Sequence, residues 1–460
     1  LRRGPFLHDL DEKGLDINVI MTNFLRKERD PVSGKEVFYV DYGLMYLTEE
    51  EYRKAGGSNK ILRVIADPKL RKKFEKIGPE GRLVFVRFKR PILACAIFPH
   101  FTHPWFLDQT LEKAGVPLNQ SRVIDRLTYK KTEMPLMISY YNRQVPGNER
   151  ILFLDQINIL RDKLKNLSPE GRRKIVEKIL LEFSKKHPKV IIKTSTESGG
   201  RGTIVALIRK ENGELNNENI YDELGGIAFY GFRDAVEFIL REILPKDDAV
   251  IQEFIESNPR EILTEEALNE VKRRFERLGI RITEDTPLYW NFRNYVTQVP
   301  GEEPQIVGWI MLIHVRAVAN YGQGGQLFLF EREMVKPQHR YIFNEMERVS
   351  KATMKMLELY APIFAKREGI EIYRSLAGFS YSFPLTNLSD LMLKPCKTSD
   401  GKVEWHIVPI EENIGMGLFY PYERELSKRG RSGESVDPIL INLAKVGRKY
   451  LEVLGRKGTD

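Results

Sequence analysis

The segment that most constrains this chain begins at Lys189-Val190-Ile191-Ile192-Lys193, runs through a Thr-Ser-Thr-Glu-Ser-Gly-Gly-Arg-Gly loop, and returns as the β-branched run Thr203–Ile208. β-Branched residues favour a strand on both sides, and the glycines favour a tight, adaptable connection. Lys193 is thereby delivered to a loop, Ser198-Gly199-Gly200-Arg201-Gly202, whose backbone N–H groups can approach an anion closely. The arrangement predicts a phosphate-binding hairpin. It is not a P-loop, because the lysine precedes the glycines and a strand follows where a helix would be needed.

The length of 460 residues exceeds what one hydrophobic core organises and predicts two to four domains. With 42% hydrophobic and 30% charged residues, the composition is that of a globular protein without low-complexity segments. The longest apolar run, Pro91–Pro99, is too short to cross a bilayer, and the first residues lack the apolar core of a signal peptide. Cys95 and Cys396 form no zinc pattern and suit a reducing compartment, so a cytoplasmic location is expected. The net charge of +9 raises a nucleic-acid reading. Its basic residues, however, interleave with acids along helices, as in Arg172-Arg173-Lys174 with Glu177-Lys178, and no aromatic RNA-binding strand accompanies them. A basic cleft for an anionic small molecule explains the sign instead.

Along the chain, residues before about 120 mix strand-like stretches (16–21, 36–40, 82–88, 93–98) with short helices (48–55, 105–114) and read as an α/β unit, with 11–43 as an insertion. Ser168-Pro169-Glu170 opens a helix with a capping serine, a proline at the first helical position and an acid in the first turn. The pattern further predicts helices over 131–141, 232–243, 264–278, 344–366 and 438–454. Strands are predicted over 249–255, 289–299, 306–319, 390–394 and 403–409. The helix at 264–278 interrupts what reads as one sheet and is expected to be an inserted arm. The Pro99–Trp105 segment places His100 and His103 at a strand end, with packed loop histidines as the plainer reading.

Four features then line up in order: the Lys193 hairpin; Ile251-Gln252-Glu253-Phe254-Ile255 running into Glu256 and Glu261; Arg316 and Asn320 ahead of Gly322–Gly325; and Ile410-Glu411-Glu412-Asn413-Ile414-Gly415. Strand alternation turns Glu411 and Asn413 to one face and Glu412 to the other. An E-x-N pair offers the hard oxygens that Mg²⁺ prefers.

This order resembles the ATP-grasp superfamily over roughly residues 126–417, without matching a named member. The resemblance implies α/β and α+β multidomain architecture: an N-terminal α/β domain (1–125), a central lid (126–250), a C-terminal ATP-grasp domain carrying the metal site (251–430) and a closing helix (431–460). It implies ATP and Mg²⁺ as cofactors, with Glu411, Asn413 and a third ligand, Asp390, on the metal. A rival frame puts Ser380 at that third position. Lys193, Ser198, Gly199, Gly200, Arg201 and Gly202 would hold phosphates. Lys130 would serve as the second ATP lysine, with Lys131 and Lys163 as alternatives. The backbone of Glu253, Phe254 and Ile255 would meet the base, Glu261 or Glu256 the ribose, and Arg316 with Asn320 the transferring phosphoryl group.

The resemblance implies an ATP-dependent ligase that activates a carboxylate as an acyl phosphate for capture by an amine or similar nucleophile. The alternatives are a kinase on the same scaffold and an inactive nucleotide-binding regulator. The expected partners are small molecules rather than nucleic acid or membrane, and homo-oligomerisation is left open.

Overall fold

A computed structural model describes residues 25–29, 36–48, 81–91, 112–113 and 121–413, apart from 197–201, 223–225, 318–323, 375–377 and 399; beyond these it describes only 425–426, 429, 442 and 445–446. Three antiparallel strands, β1 (Leu25–Arg29), β2 (Glu36–Thr48) and β3 (Gly81–Pro91), form one sheet in the order β1-β2-β3. The expectations for 16–21, 93–98, 438–454 and the His100/His103 segment fall largely or wholly outside the described residues.

Two larger layers follow. Helix α1 (Arg122–Tyr129) starts at Ser121, whose hydroxyl accepts from Ile124 N–H at 3.2 Å. A 3-10 turn, Lys131–Glu133, leads into α2 (Met134–Gln144), so the predicted helix at 131–141 is present but starts with a tighter turn. A four-stranded antiparallel sheet in the order β4-β9-β5-β6 comprises β4 (Gln156–Ile159), β5 (Lys189–Thr194), β6 (Thr203–Leu207) and β9 (Ala249–Glu253). On one side it is covered by α3 (Pro169–Ser184) and α4 (Phe232–Phe238), the latter continued by a π-helical turn, Ile239–Ile243. Val176, Leu180, Val190, Ile192, Val236, Ile239 and Ile251 make up that core, each essentially inaccessible to solvent. A small hairpin, β7 (Ile220–Tyr221) and β8 (Ile227–Phe229), lies beyond β6.

The five-stranded antiparallel sheet runs β12-β11-β10-β13-β14, with β10 (Tyr289–Thr297), β11 (Gln305–His314), β12 (Gln326–Leu329), β13 (Thr386–Lys397) and β14 (Val403–Asn413). Gly301 (φ 86°) and Gly401 (φ 81°) occupy the turns between β10 and β11 and between β13 and β14, a conformation that glycine adopts without a steric penalty. One face packs on α1, α2, α5 (Glu265–Glu276) and the 27-residue α6 (Ile342–Glu368), which stops at Gly369 in the left-handed conformation.

Helix α5 differs from the inserted arm that the sequence suggested. Its Ala267, Val271 and Phe275 are buried in the same core as Trp290 and Phe328. Burying a side chain of the size of Val271 or Phe275 stabilises by about 1.5–3 kcal/mol, which makes α5 part of the core. It interrupts no sheet, because β9 before it and β10 after it belong to different sheets. Among the described residues no helix is long and apolar enough to cross a membrane.

Candidate functional site

In β5, Val190 and Ile192 point into the core under the helices, so alternation turns Ile191 and Lys193 to the opposite face. Val250 and Thr203 are the cross-strand neighbours of Lys193. The lysine is only 7% exposed, and its pKa is lowered to about 8 by burial above all and by the charge of Lys131, against the opposing pull of Glu411 and Asp390. Gly202 follows the loop with φ 63° and accepts from Thr194 N–H at 3.3 Å, closing the hairpin as expected.

The facing layer supplies a cross-strand row. Arg293 on β10 is paired with Asp390 on β13, and Asp390 with Glu411 on β14. A bulge after Asp390 leaves Ile410 as the extra residue, so Leu391 faces Pro409. Arg293 holds Asp390 with both arms, Nε to Oδ1 at 2.6 Å and Nη2 to Oδ2 at 2.8 Å. Burial alone would lower the guanidinium pKa, but the Asp390 charge and hydrogen bonds outweigh it and raise it. Lys131 Nζ reaches Glu411 Oε1 at 3.8 Å.

The 3-10 turn aims that lysine because both layers hold it. Lys131 N–H donates to Ser195 O at 3.1 Å, Gln156 Nε2 to Lys131 O at 3.2 Å, and Asn158 Nδ2 to Thr132 O at 3.2 Å. From the other side, Glu133 accepts from Arg367 Nη2 at 2.6 Å and from the Tyr360 hydroxyl at 3.2 Å. The result is three cations, Lys131, Lys193 and Arg293, around two carboxylates, where the two sheets face each other. Beside this row, Leu154, Ile255, Val408, Met392 and Ile410 form a small apolar patch.

The other predicted residues fall as follows. Lys130, one residue from Lys131, points away and pairs with Glu368 at 2.7 Å, its ammonium 5.4 Å from the Phe364 ring centre; Lys163 is exposed on a short helical turn. Of the neighbouring lysines, it is Lys131 that the fold brings to Glu411. Ser380 lies in a turn, its hydroxyl 2.8 Å from that of Ser382, whereas Asp390 is the direct neighbour of Glu411. Asn413 ends β14 opposite Leu388, two residues beyond Glu411.

The three residues expected to meet the base lie at the end of β9. Glu253 N–H donates to Asp155 O at 3.0 Å and Phe254 N–H to Lys189 O at 3.3 Å, so sheet pairing already engages two of the three donors. The Glu253 carboxylate accepts from Asp155 N–H at 3.0 Å and from Lys394. Ile255 instead lines the apolar patch. Glu256 is exposed and paired with Lys189. Glu261 is exposed on the surface, its carbonyl accepting from Lys336 Nζ at 3.0 Å. Arg316 is half exposed, with Nε 3.4 Å from Asp222 Oδ2 on the hairpin side. Ser198, Gly199, Gly200, Arg201 and Asn320 lie outside the described residues.

Arg293 escaped the sequence reading. Its signal was present: in Trp290-Asn291-Phe292-Arg293, the aromatic residues of β10 point to the core, so the basic residue that follows Phe292 must face the other way.

Glu412 emerges on the opposite face, where it is 2% exposed and accepts from Asn387 Nδ2 at 2.5 Å and Ser389 Oγ at 2.6 Å. Its carboxyl is pushed up to about 8, by burial above all and by the charges of Asp390 and Glu411, while the two hydrogen bonds oppose the rise.

The donor set on the Lys193-facing side fits Mg²⁺ by its chemistry. Asp390 and Glu411 are neighbouring carboxylates on a partly open face, and Mg²⁺ commonly takes one or two carboxylates and completes its shell with phosphate and water. The fit carries a condition, since both oxygens of Asp390 engage Arg293.

No protein-family model matches this chain, and neither does any curated protein. Among solved structures, the chain is similar to the D-alanine–D-alanine ligase of Bacillus anthracis at 13% identity and a TM-score of 0.36, covering 75% of this chain and 76% of that one. It is similar to the D-alanine–D-alanine ligase of Coxiella burnetii at 11% identity and a TM-score of 0.38, covering 90% and 86%. It is also similar to the biotin carboxylase domain of the Hydrogenobacter thermophilus 2-oxoglutarate carboxylase at 11% identity and a TM-score of 0.35, covering 76% and 53%.

Proposed function

We propose that this protein is an ATP- and Mg²⁺-dependent ligase that activates a carboxylate for capture by an amine or similar nucleophile. The observation that carries the reading is the convergence of Lys131, Lys193 and Arg293 on the cross-strand pair Asp390–Glu411. Three fixed cations in a partly buried groove stabilise a polyphosphate far more than they would in water. Two carboxylates amid them would hold a divalent ion, which would supply further positive charge beside that polyphosphate.

In this reading Lys193 and Lys131 hold the ATP phosphates, and the apolar patch around Ile255 and Met392 takes the base. Asp390, Glu411 and Asn413 would hold Mg²⁺, which when bound would neutralise charge on the phosphates. The substrate carboxylate oxygen attacks the γ-phosphorus and ADP departs. The amine nitrogen then attacks the acyl carbon, loses its proton to solvent, and inorganic phosphate leaves. Arg293, held on Asp390, adds its positive charge beside the phosphates, a role for which the sequence suggested Arg316.

The test is ADP release by purified protein supplied with MgATP, a panel of amino and dicarboxylic acids, and amines. Release that requires both an acid and an amine supports the ligase. A stable phosphate ester would identify a kinase instead, and failure to bind ATP in the presence of Mg²⁺ would remove both readings.

A further inference from the structure

The segment between β9 and β10 builds a cleft that takes no part in the Lys193 site. One face of α5 contributes Glu265, Leu268 and Lys272, whose i, i+3 and i+7 spacing stacks them in a row. Arg260, on the one-turn helix Pro259–Ile262, joins them, as do Ile282, Glu284 and Leu288 on the approach to β10. These residues line a surface cleft of about 530 Å³, within the range of roughly 300–1,000 Å³ usual for small-molecule sites. Ile282 and Leu288 are buried members of the core that holds α5, so the cleft stands against that core and not on the face that carries Asp390 and Glu411.

The cleft has an apolar floor, made by Leu268, Ile282 and Leu288, and a charged rim of two cations and two carboxylates. On neighbouring turns such charges pair off, as Arg274 does with Glu270. Among the described residues, Arg260, Lys272, Glu265 and Glu284 make no ion pair. Arg260 is the most constrained of the four. It is half-buried, and its side chain has one acceptor among the described residues, Thr283 O, 2.7 Å from Nη2. Burial lowers its pKa, while the charges of Glu284 and Asp285 oppose the shift. Those carboxylates are near enough to act on the guanidinium but do not close on it. A partly desolvated guanidinium with unused N–H groups is a ready partner for a carboxylate, and the unpaired Glu284 for an ammonium.

We propose that this cleft binds an aliphatic zwitterion, a free amino acid of the leucine class or a short peptide of such residues. Its carboxylate meets Arg260, its ammonium meets Glu284, and its aliphatic side chain covers Leu268, Ile282 and Leu288. Lys272 and Glu265 offer the same two charges from α5. Because the four rim charges cancel, a ligand with both signs and no net charge complements them better than an anion or a cation does. The inference does not rest on the nucleotide reading, and its test uses no nucleotide, so each fails separately.

The full chain is titrated with L-leucine and with leucyl-leucine, and binding is followed by saturation-transfer NMR. One or both should bind saturably. Of two leucine analogues, 4-methylpentanoate lacks the ammonium and leucinamide lacks the carboxylate. Each should bind about tenfold more weakly than leucine, the scale of one hydrogen bond to a charged group. Arg260→Gln and Glu284→Gln should each weaken the binding of the zwitterion by a similar factor. The analogues act on the unaltered protein, so the test stands whether or not a variant folds. No saturable binding by either zwitterion, an analogue that binds as tightly as leucine, or affinity retained by both variants would overturn the proposal and leave a solvated groove.

Discussion

Lys131 Nζ lies 3.8 Å from Glu411 Oε1, which links a turn before the four-stranded sheet to the last strand of the five-stranded one. Its neighbour Lys130 pairs with Glu368 instead. The two lysines therefore separate by experiment. Lys131→Met should weaken nucleotide binding by roughly 10- to 100-fold, the scale of losing one close charge partner in a partly buried site. Lys130→Met should stay within about threefold of wild type, since a partly exposed ion pair contributes only about 0–1 kcal/mol. Calorimetric titration with MgATP reads both, and equal losses would contradict the assignment.

Lys193 predicts a pH dependence. Its folded-state pKa of about 8 lies below the ordinary 10.5, so burial penalises its charged form. In the free protein that penalty is fully present below pH 8 and is relieved as pH rises from 8 toward 10.5. Bound phosphate reverses the preference by favouring the ammonium. Nucleotide affinity should therefore be highest below pH 8 and fall by up to about tenfold per unit above it. Lys193→Arg should flatten this slope, because a guanidinium does not deprotonate in this range. A pH-independent Kd in the wild type would show that Lys193 does not meet the phosphates.

Arg293 competes with metal for Asp390. Replacing it by Met removes the guanidinium that both Asp390 oxygens engage, at a cost of about 3 kcal/mol in metal-free stability. The same change should tighten Mg²⁺ binding in the absence of nucleotide, because the carboxylate pair loses a neighbouring positive charge. Chemical denaturation with and without Mg²⁺ measures both effects. Unchanged or weaker Mg²⁺ binding in Arg293→Met would show that Asp390 is not a metal ligand.

Glu411 and Glu412 are consecutive residues on opposite faces of β14. Glu411→Gln should lower turnover by at least about 100-fold while changing Tm little, since the side chain lines a polar groove and contributes little packing. Glu412→Gln should retain most turnover and express itself in stability, because its carboxyl is bonded to Asn387 and Ser389 under the sheet. Steady-state kinetics paired with melting curves distinguishes them, and a similar loss of turnover in both would contradict the separation by strand face.

What the sequence by itself determined is what a few neighbouring residues decide. Alternation in Lys189–Lys193 sends Lys193 away from the core. Ser168 caps α3, and glycine stands where the turns at Gly301 and Gly401 need positive φ. The order of the four motifs was equally legible, because it is a property of the chain and not of its folding. Tertiary structure alone decided which groups meet. Arg293 and Asp390 are 97 positions apart, and only the register of β10 on β13 makes them partners. Lys131 wins over Lys130 because Ser195, Gln156 and Arg367 fix a single 3-10 turn from both sides. Helix α5 becomes core because β9 and β10 part into different sheets, a choice made by pairings distant in sequence. Local propensity acts over about one helical turn or one strand, whereas a charged site is assembled by strand register and packing between segments, and these have no local signature.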